Sequence, residues 1–123
     1  MSLQEFWTER HLCTLTTFGP DGMPHVVPVG ATYDPLTGIA RVITSGGSQK
    51  AVNVRRDPRV ALCQVDGRRW STLQGLAAVD TNDEVRHDAE RRYAERYKPP
   101  RVNPQRVVIM VTVTRVLGTY RPA

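Results

Sequence analysis

The stretch Thr44-Ser45-Gly46-Gly47-Ser48-Gln49-Lys50-Ala51-Val52-Asn53 gathers residues suited to holding an anion. Hydroxyls at Thr44, Ser45 and Ser48 flank a pair of glycines, and a helical pattern begins at Gln49. The first backbone N–H groups of a helix have no intrahelical partner and favour negative charge. Glycine lets a backbone come close to a ligand. Lys50 adds a full positive charge in the first turn, where the helix dipole prefers acids. An anion lying between the two, such as a phosphate, reconciles them. The loop is not a Walker motif, because the Gly-x-x-x-x-Gly-Lys spacing is absent. An ordinary loop, with Ser48 as N-cap and Lys50 in solvent, accounts for the same residues, and the residues alone leave both readings open.

A second informative run is Pro24-His25-Val26-Val27-Pro28-Val29-Gly30. A proline inside a strand implies a sheet edge or a bulge. An edge at Pro28 leaves backbone N–H and C=O groups free, and these can read the polar rim of a flat heterocycle. Prolines also protect an edge strand from aggregation, which explains the run without any ligand. The three histidines, His11, His25 and His87, are scattered, and no Ser or Cys nucleophile motif lies near them. His25 alone lies beside the anion-binding candidate. Cys13 and Cys63 have no Cys or His at metal-ligand spacing and read as reduced thiols acting as small core hydrophobes. No metal site is expected.

The elements that must position these residues are legible from pattern and punctuation. Ser2 and Glu5 have capping-box spacing ahead of Leu3, Phe6 and Trp7, which predicts a helix over Ser2–Glu9. Strands are predicted at His11–Phe18, Pro24–Tyr33, Ile39–Thr44, Arg59–Val65, Trp70–Val79 and Arg106–Leu117, separated by turn residues. A short helix over Gln49–Arg56 is stopped by Asp57-Pro58. A longer one opens on a Thr81/Glu84 capping box and runs to about Tyr97. Lys98 to Pro104 reads as a rigid, proline-rich loop. Six strands and three helices predict a mainly β, closed or nearly closed antiparallel barrel with flanking helices, as one domain over residues 1–123. So small a barrel has no room for a large ligand inside. A flavin-sized ligand would lie outside it or between two subunits, and a homodimer is expected.

Composition narrows the partners. Hydrophobic residues make up 40% and charged residues 24%, ordinary values for a globular chain. No apolar run is long enough to span a bilayer. The first residues have neither a basic nor an apolar signal region, so a cytoplasmic protein without membrane contact is expected. A net charge of +5 suits an anionic partner. Along the longer helix the basic residues alternate with acids, the pattern of a solvated face. The uninterrupted basic stripe that nucleic acid prefers is missing, and no nucleic acid partner is expected.

At these segments the chain resembles a known family. The order strand, proline-bearing strand, strand, Ser-x-x-Ser-x-Lys loop, helix, Asp-Pro, strand is that of the pyridoxamine-phosphate-oxidase-like split barrels. Lys50-x-x-Asn53 resembles the branch that uses coenzyme F420, a deazaflavin, in place of FMN. Longer runs are similar to the actinobacterial F420-dependent biliverdin reductases. They include Ile39–Thr44, Gly46–Asn53, Leu62–Gly67, Arg69-Trp70 and Arg92–Tyr97. The resemblance implies a homodimer with two interfacial sites, and hydride transfer from the reduced deazaflavin to the central methine of biliverdin. It implies that Thr44, Ser45, Ser48 and Lys50 take the coenzyme phosphate, with Asn53 hydrogen-bonding nearby. Val27, Pro28 and Val29 would lie along the ring, with His25 close by. Arg55 and Arg56 are candidates for the glutamate tail or a substrate carboxylate. Arg69, Arg101 and Arg106 are candidates for substrate carboxylates, and Trp70 or Tyr97 for stacking. An FMN oxidoreductase on the same fold, and a deazaflavin or tetrapyrrole carrier without turnover, are the alternatives.

Overall fold

The computed structural model describes residues 2–119. Helix α1 (Leu3–Thr8) is followed by strands β1 (Cys13–Phe18), β2 (Pro24–Val29), β3 (Ala31–Asp34) and β4 (Ile39–Ser45). Then come α2 (Gln49–Arg56), β5 (Arg59–Asp66), β6 (Arg69–Asp80), α3 (Asp83–Arg96) and β7 (Arg106–Gly118). All seven strands join one antiparallel sheet in the order β2-β1-β5-β6-β7-β4-β3.

The sheet has seven strands, not the expected six, because the run Pro24–Tyr33 divides at Gly30. Its first half pairs with β1 and its second with β4. Hydrophobic alternation hides this change of partner. Val27, Val29, Ala31 and Tyr33 keep one period-two series through Gly30, so the pattern reads as one strand. The two edge strands are thus consecutive in the chain, and the curled sheet is closed at that corner by covalent connection, with no ladder between its edges. Gly30 is needed because two rings of α3 lie against it. A Cβ there would sit 2.8 Å from Tyr93 Cε2, and the Tyr93 and Tyr97 rings stack with centroids 4.9 Å apart.

The concave face holds the core, with Leu15, Leu62, Leu73, Val42, Ile109 and Val111 fully or almost fully buried. Trp7 of α1 and Val54 of α2 join this cluster. Ser2 caps α1 by accepting from Glu5 N–H, as its spacing predicts. The cap of α3 is Asn82 and not Thr81. Its Oδ1 accepts from both Glu84 and Val85 N–H, which a threonine hydroxyl one residue earlier does not reach.

Helix α3 packs on β3, β4 and β7. Its end is fastened by Arg96, whose guanidinium donates to Ala31 O at 2.6 Å, Gln64 Oε1 at 2.7 Å and Glu9 O at 2.9 Å. The loop that leaves α3 therefore starts from a fixed point. No helix among the described residues is long and apolar enough to cross a membrane.

Candidate functional site

A cavity of about 590 Å³ opens at the Gly30 corner. The end of β2 (Pro28, Val29), the end of β4 (Thr44, Ser45) and Lys50 at the start of α2 line it. Tyr93 and the loop after α3 complete the wall. The topology explains this meeting point: both halves of the split strand, the last residues of β4 and the end of α3 converge on one corner.

Lys50 is half-buried there, and burial alone pushes its ammonium below the usual lysine range. No hydrogen bond or ion pair engages it among the described residues. A buried, unpaired cation is costly unless something neutralises it. The turn beside it is internally organised. Ser48 caps α2, its Oγ accepting from Ala51 N–H at 3.3 Å and from Thr44 Oγ1–H at 3.0 Å. Asn103 Nδ2 donates to Ser45 Oγ at 2.9 Å. The hydroxyl protons of Ser45 and Ser48 remain available to donate outward. The first amides of α2 have no intrahelical acceptor. An anion at Lys50 would thus find a cation, hydroxyl donors and backbone N–H groups already fixed.

The expected residues separate into two groups. Thr44, Ser45, Lys50, Pro28 and Val29 share the cavity. Ser48, Asn53, Val27 and His25 do not line it. Asn53 is 1% exposed; its Nδ2 donates to Thr17 Oγ1 at 3.0 Å, and its Oδ1 accepts from Gln49 at 2.7 Å. Its role in the fold is to tie α2 to β1. His25 Nδ1 is buried with no partner. Val27 pairs with Leu15 on the concave side of the sheet.

The candidate arginines also separate. Arg55 donates to Gly46 O and Arg56 to Phe18 O, which fixes the turn and the β1 end. Arg69 bonds Glu9 and Asp66 away from the cavity. Glu9, His11 and Asp66 bring three ligand atoms together, but the Arg69 guanidinium bonded to both acids already supplies the positive charge. Trp70 does not line the cavity, and Tyr97 donates its hydroxyl to His11 O at 2.7 Å. Arg101 and Arg106 do line it. The residues not foreseen in the wall include Ile43, Tyr93, Lys98, Pro99, Pro100 and Asn103. The one signal for those after α3 was the proline-rich stretch, which read only as a rigid loop, while Ile43 and Tyr93 fell within a predicted strand and a predicted helix.

The sequence profile of the pyridoxamine 5′-phosphate oxidase family matches residues 2–120. An F420H2-dependent biliverdin reductase of Mycobacterium tuberculosis is 59% identical over 114 residues, covering 93% of this chain and 83% of that protein. The crystal structure of a conserved hypothetical protein of the same organism superposes with a TM-score of 0.79 at 30% identity, over 96% of this chain and 84% of the other. A solved F420 reductase gives a TM-score of 0.76 at 24% identity, over 95% and 98%. At that identity, this last likeness concerns the fold alone.

Proposed function

The chain belongs to the pyridoxamine 5′-phosphate oxidase family, and from that premise we propose that it is an F420H2-dependent reductase that converts biliverdin to bilirubin. The observation that carries this reading is Lys50: a half-buried cation without a partner, set beside a fixed hydroxyl turn and an open strand edge, in a chain 59% identical to a reductase of that name.

The residues present fit the coenzyme. Lys50 and the Ser45 hydroxyl, with the first amides of α2, suit its phosphate, and the Thr44–Ser48 hydrogen bond orders the turn beside them. Pro28 and Val29 offer an apolar strip with free backbone groups, because the outer side of β2 pairs with no strand. Val27 and His25 support that strip from the concave side, and Asn53 keeps α2 in register behind it. The chemistry that a bound, reduced deazaflavin supplies is hydride donation; one hydride and one proton complete the conversion of biliverdin to bilirubin. The chain contributes position and electrostatics, holding the reacting faces together at the Gly30 corner.

We assign it a homodimeric state. The unpaired edge of β2 and exposed apolar residues on the convex side of the sheet, Val26, Val65, Trp70 and Leu76, support a covering partner. The cytoplasm suits two unpaired cysteines, Cys13 and Cys63.

The test mixes protein, reduced F420 and biliverdin without oxygen, with reduced FMN in a parallel reaction. Loss of the pigment's long-wavelength band, with bilirubin absorbance appearing in the F420 reaction alone, is the expected result. Tight F420 binding with biliverdin untouched would remove the substrate assignment and leave only the coenzyme assignment.

A further inference from the structure

The cavity at the Gly30 corner holds more unneutralised cations than one phosphate requires. Among the described residues, Lys98 and Arg101 also line it, and no acid, carbonyl or hydroxyl engages either side chain. Most other basic side chains nearby are occupied. Arg86 faces Asp83 at 3.2 Å, Arg91 pairs with Asp88 and Glu95, and Arg92 pairs with Asp88. Arg106 lines the cavity too, but its guanidinium donates to Glu90 at 2.7 Å and to the Arg101 carbonyl at 2.6 Å.

That last contact makes the arrangement a built one. Arg106 is 9% exposed and holds the Arg101 backbone from beneath. Arg106 N–H also donates to Asn103 O, and Asn103 binds Ser45. Gly46 N–H donates to Gln105 O at 2.8 Å, joining this loop to the Lys50 turn. Pro99, Pro100 and Pro104 restrict the backbone between these ties. Arg101 therefore projects from a fixed base. It also borders a second cavity of about 550 Å³, which shares Pro100, Arg101, Asn103 and Arg106 with the first. Like charges on a concave wall focus the potential and favour a polyanion.

We propose that Lys98 and Arg101 form a second anion station in this cavity, one that binds carboxylates of an elongated ligand passing over Arg101 toward the second cavity. The inference rests on the reading that the cavity holds the coenzyme and its acceptor. Two sources supply such carboxylates: the glutamyl tail of the coenzyme and the propionates of biliverdin. The station is defined by the carboxylate chemistry they share. A pre-ordered loop removes the backbone share of the ordering cost when its guanidinium and ammonium groups meet a carboxylate.

The test uses direct binding, followed by tryptophan quenching, for wild type and for the double variant Lys98→Ala/Arg101→Ala. One arm compares F420 with the ribityl-deazaflavin 5′-phosphate, which keeps a phosphate but has no carboxylate. The other compares biliverdin with its dimethyl ester. About a tenfold loss for the carboxylate-bearing member of either pair, with its carboxylate-free counterpart unchanged, supports the station and identifies the source. Arg101→Lys should recover part of that affinity. Equal losses within both pairs, or no loss in either, overturn the proposal while leaving the reductase assignment intact. A wild-type chain that binds neither F420 nor biliverdin overturns both.

Discussion

Lys50 carries its charge into a wall where burial already works against it. A charge-assisted bond to phosphate is worth about 1.5–3 kcal/mol, so Lys50→Ala should raise the F420 dissociation constant roughly ten- to a hundredfold. Thermal stability should hardly change, since the ammonium has no partner inside the fold to lose. Its titration gives a further expectation. The ligand binds the protonated amine and raises its pKa, whereas the free protein holds that pKa below the ordinary value. Affinity should therefore be level at neutral pH and fall as pH rises through the free-state pKa. Lys50→Arg should abolish that alkaline decline in a titration series. Lys50 was legible because a cation against a helix dipole is anomalous in sequence alone. Asn53 was not, since its residue type and spacing suit a ligand contact, and only the packing shows it turned toward Thr17.

Helix α2 owes its position to its two ends. Ser48 closes the first, and the second stops at Asp57-Pro58, where Asp57 accepts from the Arg59 guanidinium at 2.7 Å and from Arg59 N–H at 3.1 Å. The bond from the Arg59 side chain, with the backbone bond beside it, holds the Asp57 carboxyl down to about 2. Because the folded value lies below the unfolded one, this contribution is complete above about pH 4 and is lost as pH falls toward 2. Urea midpoints of wild type and Asp57→Asn should differ at pH 6 and converge near pH 2. A constant difference across that range would place the effect elsewhere. Bounds of this helix could be read from capping and stop residues because both act locally. The split at Gly30 could not, because it depends on which strand each half meets and not on any change in side-chain alternation. The wall after α3 was illegible for a similar reason: Arg96 and Arg106, which fix it, act across long sequence separations.

The molecule as a whole carries a net charge of +5, and three cations without a partner among the described residues, Lys50, Lys98 and Arg101, line one cavity. Association with F420 should slow as salt is added, since screening shortens the reach of that field to about 8 Å at physiological ionic strength. A stopped-flow rate independent of salt would show that steering plays no part. The convex side of the sheet presents Val65 directly across from Trp70, both exposed, with Leu76 further along β6. Sedimentation at micromolar concentration should give twice the chain mass of 13.8 kDa. A monomer would mean that each site is assembled within one chain.

The meeting of the two sheet edges at Gly30 also bears on how the chain folds. The β1–β2 and β3–β4 hairpins, and the β5–β6 hairpin, close over short loops, whereas β1 must find β5 and β4 must find β7 across long stretches of chain. Contacts that need long-range closure form late. The corner is sealed only when Tyr93 and Tyr97, brought by α3, settle against Gly30 after both hairpins exist. It should therefore lie on the native side of the rate-limiting barrier. Gly30→Ala, with its new methyl against the Tyr93 ring, should cost about 1–3 kcal/mol. In a chevron plot that cost should appear as unfolding accelerated roughly five- to 150-fold, with the refolding arm unmoved and a φ-value near zero. A slowed refolding arm would mean that the seam between the sheet's two edges helps to start folding and does not merely finish it.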